Sequence, residues 1–275
     1  RELRARRYSA ALILMPNATN VLAALWSMTP KRVAIHPDFA GRTQRWLLRL
    51  NTALEYHQRP GMAMETYLKS LRHFGVTKYR MDKEVYNAPG SPAAEGCLKG
   101  SGPFAGVILG AGNDLKDWGT DNFIGLVRLI LKKTGVRAVV LLGSDKERDK
   151  AALVIDKTGG NGRVVDLCGR FGLSEMPEVL KKMSVVTGVD TGLVYMADAL
   201  GVPVVDIAGP CDMDDQRPTG KRSFIVQKKD LPCVPCSHTF KAPYECGHAH
   251  RECVRGITVE EVFDRVAGAA PVVLK

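Results

Sequence analysis

The 275-residue sequence has no apolar run approaching the roughly 20 residues that a membrane-spanning helix needs. It opens with Arg1-Glu2-Leu3-Arg4, and no small-residue cleavage pattern follows its first short apolar run, so no secretion signal is expected. Neither GxGxxG nor GxxxxGK[ST] occurs, and a Rossmann dehydrogenase or a P-loop enzyme is therefore not supported. An initiator methionine is also missing, which is compatible with a fragment, a processed form or the ordered part of a longer protein.

Acidic residues are outnumbered by basic ones, 29 against 39, which gives a net charge of +10. This balance favours anionic partners such as nucleic acid, an acidic membrane surface or phosphorylated substrates, although a solvated basic surface without a specific partner fits it equally well. No arginine–aromatic ladder or known nucleic-acid motif occurs, so we do not expect nucleic acid as a partner. The apolar fraction of 45% supplies enough residues for a core, and the length suits one large domain or two ordinary ones.

The seven cysteines do not indicate a disulfide framework, because their number is odd and the sequence shows no secretion signal. Four of them cluster at Cys233, Cys236, Cys246 and Cys253. The Cys233-x2-Cys236 pair has the spacing of one half of a zinc site. Cys246 and Cys253 are separated by six residues, which is an unusual spacing for the second half. A structural metal site and reduced thiols in a loop both remain open, and we assign no metal ligands.

The first part of the chain predicts a Rossmann-like domain over residues 1–90. Strands are predicted at residues 10–16 and 32–36, and helices at 17–28 and 64–76. Periodicity is lost from about residue 81 to residue 103, and the stretch "NAPGSPAAEG" is rich in Pro, Gly and Ala. We therefore expect a linker over residues 91–103.

The second part predicts a further Rossmann-like domain over residues 104–257, followed by a helix and tail over 258–275. Apolar strands alternate with helices, which predicts a parallel sheet covered on both faces. Strands are predicted at residues 104–112, 137–144, 163–169, 184–189 and 203–209, and helices at 120–135, 145–159, 174–183 and 192–201. Ligands of such sheets bind at the carboxyl ends of the strands, where the turns "GAGNDLK", "GSDKE", "GVDTGL" and "AGPCD" lie.

These turns contain the candidate binding residues. Thr191 and Gly192 begin a helix whose free N–H groups favour an anion, and Asp190 can accept hydrogen bonds from sugar hydroxyls. Helix capping by Asp190 or Thr191 is the alternative. Lys116 can neutralise a diphosphate or be merely solvated. Asp145 and Glu147 are the candidates for ribose hydroxyls, or they complement a helix dipole.

Several stretches together resemble a known family. They are "GAGNDLKDWGTDNF", "VVLLGSDKE", "DLCGRFGLSEM", "DTGLVYMADALGVPVVDIAGP" and the cysteine segment that precedes "GITVEEVF". The second half resembles the bacterial ADP-heptose:lipopolysaccharide heptosyltransferases, glycosyltransferase family 9, over roughly residues 103–266, and the first half resembles them weakly. Two positions depart from the family pattern: Gly119 stands where Pro is usual, and Tyr195 stands where His is usual.

The resemblance implies an α/β fold of two Rossmann-like domains facing across a cleft, the GT-B type. It implies donor binding by Lys116 at the diphosphate, by Asp145 at the ribose, and by the segment Asp190, Thr191, Gly192 and Leu193 at the sugar and phosphates. The implied activity is transfer of a heptose from ADP-heptose to the inner core of lipopolysaccharide, with no required metal or cofactor. The developing charge on the leaving diphosphate would be stabilised by a lysine and a helix N-terminus.

The family's catalytic Asp lies in an N-terminal strand, glycine loop and helix that we do not find in this sequence, so the N-terminal domain is expected to be incomplete. We assign no general base, because nothing around Asp38 or Glu55 supports either residue. Two alternatives stay open: a GT-B glycosyltransferase that uses another nucleotide sugar, and a non-catalytic protein that binds a nucleotide sugar.

The resemblance also implies a cytoplasmic protein in peripheral contact with the inner membrane, where the phosphorylated lipopolysaccharide core is the acceptor. The first half is basic, which suits such an acceptor. The stretch "RTQRWLLRLN" at residues 42–51 has the composition of a membrane-interface segment, and a core-packing helix or loop is the alternative.

Overall fold

The structure, a computed structural model, describes residues 2–85, 91–98, 100, 102–159 and 162–269. The parts of our predictions that fall on residues 1, 86–90, 99, 101, 160–161 and 270–275 lie outside the described residues. The chain divides into two compact units. Unit 1 comprises Arg1–Asp82, Asp212–Gln216 and Ser237–Ala242, and unit 2 comprises Lys83–Cys211, Arg217–Cys236 and Pro243–Lys275.

Unit 1 contains a parallel sheet of three strands in the order β1-β2-β3. Its elements are α1 (Glu2–Ala5), β1 (Ala10–Ile13), α2 (Ala18–Trp26), β2 (Lys31–Pro37), α3 (Arg42–Leu48), β3 (Ala53–His57) and α4 (Ala63–Ser70). Asn17 starts α2, because its side chain accepts a hydrogen bond from the Asn20 N–H at 2.8 Å. The buried apolar cluster of the unit is small and consists of Ile13, Val21, Ala24, Ala34 and Leu48.

Unit 2 contains a parallel sheet of six strands in the order β6-β5-β4-β7-β8-β9. Its elements are α5 (Pro92–Glu95), β4 (Phe104–Ile108), α6 (Thr120–Lys133), β5 (Ala138–Leu142), α7 (Arg148–Thr158), β6 (Val164–Asp166), α8 (Met176–Leu180), β7 (Met183–Val189), α9 (Gly192–Ala199), β8 (Val204–Ile207), β9 (Ser223–Val226), α10 (Glu252–Arg255) and α11 (Val259–Ala269). The order reverses between β4 and β7, and such a reversal opens a crevice at the carboxyl edge of a doubly wound sheet. The predicted parallel sheets, and with them the α/β fold class, are confirmed.

Two apolar clusters cover the two faces of the larger sheet, as its continuous apolar strands predict. Strand β4 shows the arrangement, because Val107 belongs to the cluster that contains α6 and α11, whereas Ile108 belongs to the cluster that contains α8 and α9. The predicted linker contains helix α5, whose Ala94 is fully buried in this second cluster. No helix among the described residues is long and apolar enough to cross a membrane.

Several predicted bounds were wrong. The helix predicted at 64–76 ends as an α-helix at Ser70 and continues as a 3-10 turn over Leu71–Phe74. The helix predicted at 174–183 ends at Leu180, since Met183 already pairs with Phe104 as part of β7. Strands β3 and β9 were not predicted.

Candidate functional site

A pocket of about 600 Å³ lies at the carboxyl edge of the unit 2 sheet. It is lined by the loops that follow four strands: Gly110–Gly112 after β4, Gly143–Glu147 after β5, Gly169–Leu173 and Met176 after β6, and Thr191 and Leu193 after β7. Two of these loops follow the central strands β4 and β7, between which the strand order reverses. The pocket therefore lies where a doubly wound sheet binds its ligand.

Glycines let these loops approach one another closely. A Cβ built on Gly110 would lie 2.4 Å from Oε1 of Glu147, and one on Gly169 would lie 2.1 Å from Oδ1 of Asp145. Gly169 also has φ of +65°, a conformation that L side chains rarely adopt. Any side chain at Gly110 or Gly169 would therefore push into the loop after β5.

Glu147 and Asp145 differ in whether their carboxylates are available to bind a ligand. The Glu147 carboxylate accepts hydrogen bonds at 2.7 Å from the backbone N–H and the hydroxyl of Ser144, which completes a capping box. The Asp145 side chain is 78% exposed. Among the described residues its one ion pair is with Arg148, at 2.9 Å. Asp145 is therefore the acid of this turn that can turn towards a bound ribose.

Asp190, which follows β7, is the centre of a buried polar cluster beside the pocket. Lys116 donates to its carboxylate and also to its backbone carbonyl at 3.2 Å. Tyr195 donates its hydroxyl to Asp190 Oδ1, and Cys211 donates its thiol to Asp190 Oδ2 at 3.1 Å. Burial is the largest single influence and lowers the Lys116 pKa, but the charges and hydrogen bonds of Asp190 and Cys211 together outweigh it and raise that pKa. The lysine is therefore a cation with a preformed counterion.

Asp206 on β8 brings a second acid close to this cluster. It pairs in register with Gly188 of β7, and it is completely buried. Neither of its carboxyl oxygens has a hydrogen-bond partner among the described residues. Burial, with the nearby charge of Asp190, raises the Asp206 pKa well above its usual value and so favours the protonated side chain.

The six predicted donor-binding residues fall into two adjoining groups. Asp145, Thr191 and Leu193 line the pocket. Lys116 and Asp190 pair with each other in the buried cluster, and Gly192 is the exposed first residue of α9. Asp190 is joined directly to Thr191 in the chain, so the cluster adjoins the lining of the pocket.

The loop after β6 adds pocket residues that the sequence analysis missed. Arg170, Phe171, Leu173 and Met176 line the pocket together with Gly169. They offer a guanidinium group and apolar surface, the combination on which a planar base can stack. The stretch "DLCGRFGLSEM" had been noted only for its resemblance, because an isolated Phe and Arg in a loop carry no signal of their own.

Unit 1 contains carboxylates that are already paired. Glu55 is buried and forms ion pairs with Arg72 at 3.0 Å and His73 at 3.2 Å. Asp38 forms an ion pair with Arg59 at 3.2 Å. Because both carboxylates are already paired with basic side chains, no general base is assigned from them.

The clustered cysteines are free thiols. Burial and the neighbouring thiols raise the pKa of Cys253 to about 11, whereas backbone N–H groups of His248, Arg251 and Ala249 lower the pKa of Cys246. In the part of the chain that the structure describes, no three His, Cys, Asp or Glu side chains are placed to ligate a metal ion. The absence of a metal requirement stays a prediction.

Comparison with known proteins matches residues 1–245 to the family model described as glycosyltransferase family 9 (heptosyltransferase). Curated protein sequences give no match. Among solved structures, ADP-heptose LPS heptosyltransferase II of E. coli is similar with a TM-score of 0.67 and 17% identity, over 98% of this chain and 78% of that one.

Two other solved structures are similar at the level of the fold. A family 9 glycosyltransferase of Veillonella parvula has a TM-score of 0.71 at 14% identity, over 98% of this chain and 75% of that one. The E. coli heptosyltransferase WaaC with ADP-2-deoxy-2-fluoro heptose has a TM-score of 0.65 at 17% identity, with the same coverage of 98% and 75%.

Proposed function

The chain belongs to glycosyltransferase family 9, the heptosyltransferases, and we propose that it moves a heptose from ADP-heptose to the phosphorylated inner core of lipopolysaccharide. The observation that carries the proposal is the pocket at the carboxyl ends of β4, β5, β6 and β7, whose lining residue Thr191 directly follows the Asp190 that pairs with Lys116. A similar structure, that of WaaC, was determined with an ADP-heptose analogue, which supports this donor. Family membership replaces the alternative of a non-catalytic binding protein.

In the proposed complex the nucleotide lies in the pocket, with the ribose at Asp145 and the base beside Phe171 and Arg170. The diphosphate lies towards Lys116 and the N-terminal turn of α9, and the sugar lies towards Asp190, Thr191, Gly192 and Leu193. Breaking the glycosidic bond places negative charge on the leaving diphosphate. The Lys116 ammonium and the free N–H groups of α9 would stabilise that charge, so no metal or cofactor is needed for this step.

The proposed acceptor side is unit 1, which supplies basic residues for a phosphorylated acceptor. We further propose that the protein acts in the cytoplasm, in peripheral contact with the inner membrane. The residue that removes the proton of the acceptor hydroxyl stays unassigned.

The first test is calorimetric titration of the protein with ADP, UDP and GDP. We expect ADP to bind selectively, and Lys116→Ala to weaken ADP binding by about 10- to 100-fold, because a hydrogen bond to a charged group is worth about 1.5–3 kcal/mol. Asp190→Ala should also weaken it, since Lys116 then loses the partner that holds it. Equal binding of all three nucleotides, or none, would contradict the donor assignment.

Lys150→Ala is the matched control for Lys116→Ala. Lys150 is similarly buried and pairs with Asp117 at 2.8 Å, but neither of these two residues belongs to the cluster around Asp190. We expect this variant to lose thermal stability and to keep the affinity of the wild type for ADP. Turnover is then measured as ADP released from ADP-heptose in the presence of heptose-deficient lipopolysaccharide.

A second candidate is the same chemistry with another nucleotide sugar. Tyr195 favours it, because its hydroxyl bonds the Asp190 carboxylate at a position where the family usually has His. A panel of nucleotide sugars, assayed with the wild type and with Tyr195→His, would separate the two. A donor other than ADP-heptose that turns over faster would replace the first candidate.

A further inference from the structure

Helices α2 and α3 of unit 1 are in contact and leave apolar side chains in solvent. Trp26 is 69% exposed, Trp46 is 64% exposed and Leu22 is 51% exposed. The other sides of the same helices are buried, since Val21, Ala24 and Leu48 lie in the core of unit 1. The exposed apolar groups are therefore additional to the face that each helix uses for folding.

Arginines surround these apolar groups. Arg42, Arg45 and Arg49 are exposed and lie three or four residues apart along α3 and its C-terminal turn, on the same face as Trp46. Asp38 is the only acidic residue between Asn17 and Leu50 in the sequence, and it pairs with Arg59. We define the α2–α3 face as Leu22, Trp26, Arg42, Arg45, Trp46, Arg49 and Leu50. It combines apolar and positively charged groups, and its three arginines form no ion pair among the described residues.

We propose that the α2–α3 face docks the protein on an anionic phospholipid bilayer. Indole rings prefer the interface between hydrocarbon and headgroups, and arginines place their apolar stems in that layer while the guanidinium groups contact lipid phosphates. Apolar surface without a protein partner is expected at such a site. The proposal rests on the proposed function, because it supplies the surface that brings the enzyme to a lipid-anchored acceptor.

The positive charge of the α2–α3 face favours a bilayer over a second copy of the chain as its binding partner. A two-fold dimer through this face would bring the two sets of three arginines together, because the same patch meets itself across the axis. Such an arrangement is repulsive, whereas phosphatidylglycerol headgroups supply the missing negative charge.

The test is co-sedimentation of the full chain with vesicles of phosphatidylethanolamine and phosphatidylglycerol, and with vesicles of phosphatidylcholine. We expect binding to the anionic vesicles only, weakened by salt. Arg45→Glu with Arg49→Glu should reduce partitioning at least about tenfold. Trp26→Ala with Trp46→Ala should reduce it similarly and abolish the blue shift of tryptophan fluorescence, because the third tryptophan, Trp118, is fully buried and does not respond.

The matched control for charge is Lys221→Glu with Lys229→Glu, two exposed positions of unit 2 that change the net charge equally. The matched control for apolar surface is Leu153→Ala with Tyr244→Ala, which are 43% and 89% exposed in unit 2 and do not line the pocket. Both should leave vesicle binding unchanged. Three results would overturn the proposal. The first is an equal loss of vesicle binding in these controls, and the second is no vesicle binding of the wild type. The third is self-association that the Trp variants remove, without any vesicle binding.

Calorimetric titration with ADP separates this proposal from the proposed function. The α2–α3 variants should bind ADP like the wild type, because no residue of this face lines the pocket. Vesicle binding without ADP binding would refute the donor assignment and support the docking surface. ADP binding without vesicle binding would support the donor assignment and refute the docking surface.

Discussion

Asp198 and Asp206 are two buried acids of unit 2 with opposite surroundings. Asp198 accepts hydrogen bonds from Lys83 at 2.9 Å and from the backbone of Thr219 and Gly220, whereas Asp206 has no partner among the described residues. Burial favours the neutral acid in both. In Asp198 the hydrogen bonds outweigh burial and lower the pKa, and in Asp206 burial prevails and raises it.

The two acids therefore change the pH dependence of stability in opposite directions. Asp206 keeps its proton in the folded state while the unfolded chain loses it above its usual pKa of 3.8, so folding becomes less favourable as the pH rises. Asp198 stabilises the fold above the same usual value, and this contribution disappears as the pH falls through its lowered pKa.

We expect Asp206→Asn to raise the unfolding temperature at pH 7.5 by a few degrees, since about 1 kcal/mol corresponds to roughly 2–4 °C in a protein of this size. The gain should shrink as the pH falls towards and below 3.8, where the unfolded wild type also holds this proton. Asp198→Asn should lower the unfolding temperature at pH 7.5, and its loss should also shrink as the acid is titrated. Thermal unfolding from about pH 2 to pH 8 measures both, because the Asp198 contribution is lost only below the usual pKa of 3.8. A gain for Asp206→Asn that does not vary with pH would contradict the assignment.

At the scale of elements, the segment that contains Cys233, Cys236, Cys246 and Cys253 separates its thiols by environment. Three backbone N–H groups face the Cys246 thiol, which favours the thiolate. Cys253 is buried near the other thiols, and its pKa is raised to about 11. The loop therefore creates one reactive thiol and one inert one seven positions apart in sequence.

We expect iodoacetamide to modify Cys246 about tenfold or more faster than Cys253, because each pKa unit changes the thiolate fraction about tenfold. Peptide mass spectrometry after timed labelling measures the two rates, and denatured protein provides the reference in which all seven cysteines react. Protection of Cys246 that a chelator releases would favour the metal site that the sequence left open. Equal rates without a chelator effect would contradict the hydrogen bonding around Cys246.

The elements of unit 2 were mostly predictable, because their strands are apolar on both faces and their turns are marked by glycine. Strand β3 was missed because its buried Glu55 and His57 find tertiary partners, Arg72 and Asp215 among them, that no local pattern reveals. Strand β9 was missed because its apolar run, Phe224 to Val226, is only three residues long and is flanked by polar residues on both sides.

The candidate site was predictable in position but not in detail. The strand ends indicated the pocket, whereas the pairing of Lys116 with Asp190 depends on two turns 74 residues apart. The conformation of Gly119 could not be predicted either. Its φ is +99°, which proline cannot adopt, although the family pattern has proline at this position.

At the scale of the whole molecule, the two units differ in the size of their cores. The buried apolar cluster of unit 1 has five residues, whereas unit 2 has clusters of 25 and 16 among the described residues. Because stability rises with the apolar surface buried, unit 1 should open more readily than unit 2.

Hydrogen exchange measured by mass spectrometry tests this difference. We expect the amides of β1 and β2 to exchange well before those of β4 and β7, and ADP to slow exchange in the loops after β4, β5 and β6. ADP at about 100 times its dissociation constant would stabilise the binding unit by about 2.7 kcal/mol. Exchange without nucleotide is the reference, and uniform exchange across β1, β2, β4 and β7 would contradict the ranking.

The chain crosses between the units five times, because Asp212–Gln216 and Ser237–Ala242 belong to unit 1. His57 Nε2 lies 2.9 Å from Asp215, and Thr239 donates its backbone N–H to the same carboxylate at 2.6 Å. A gene cut once near residue 82 would thus produce a first fragment without the acid that its buried His57 contacts. The two halves are not interchangeable modules: a chimera that exchanges residues 1–82 with those of a relative must carry residues 212–216 and 237–242 along with them.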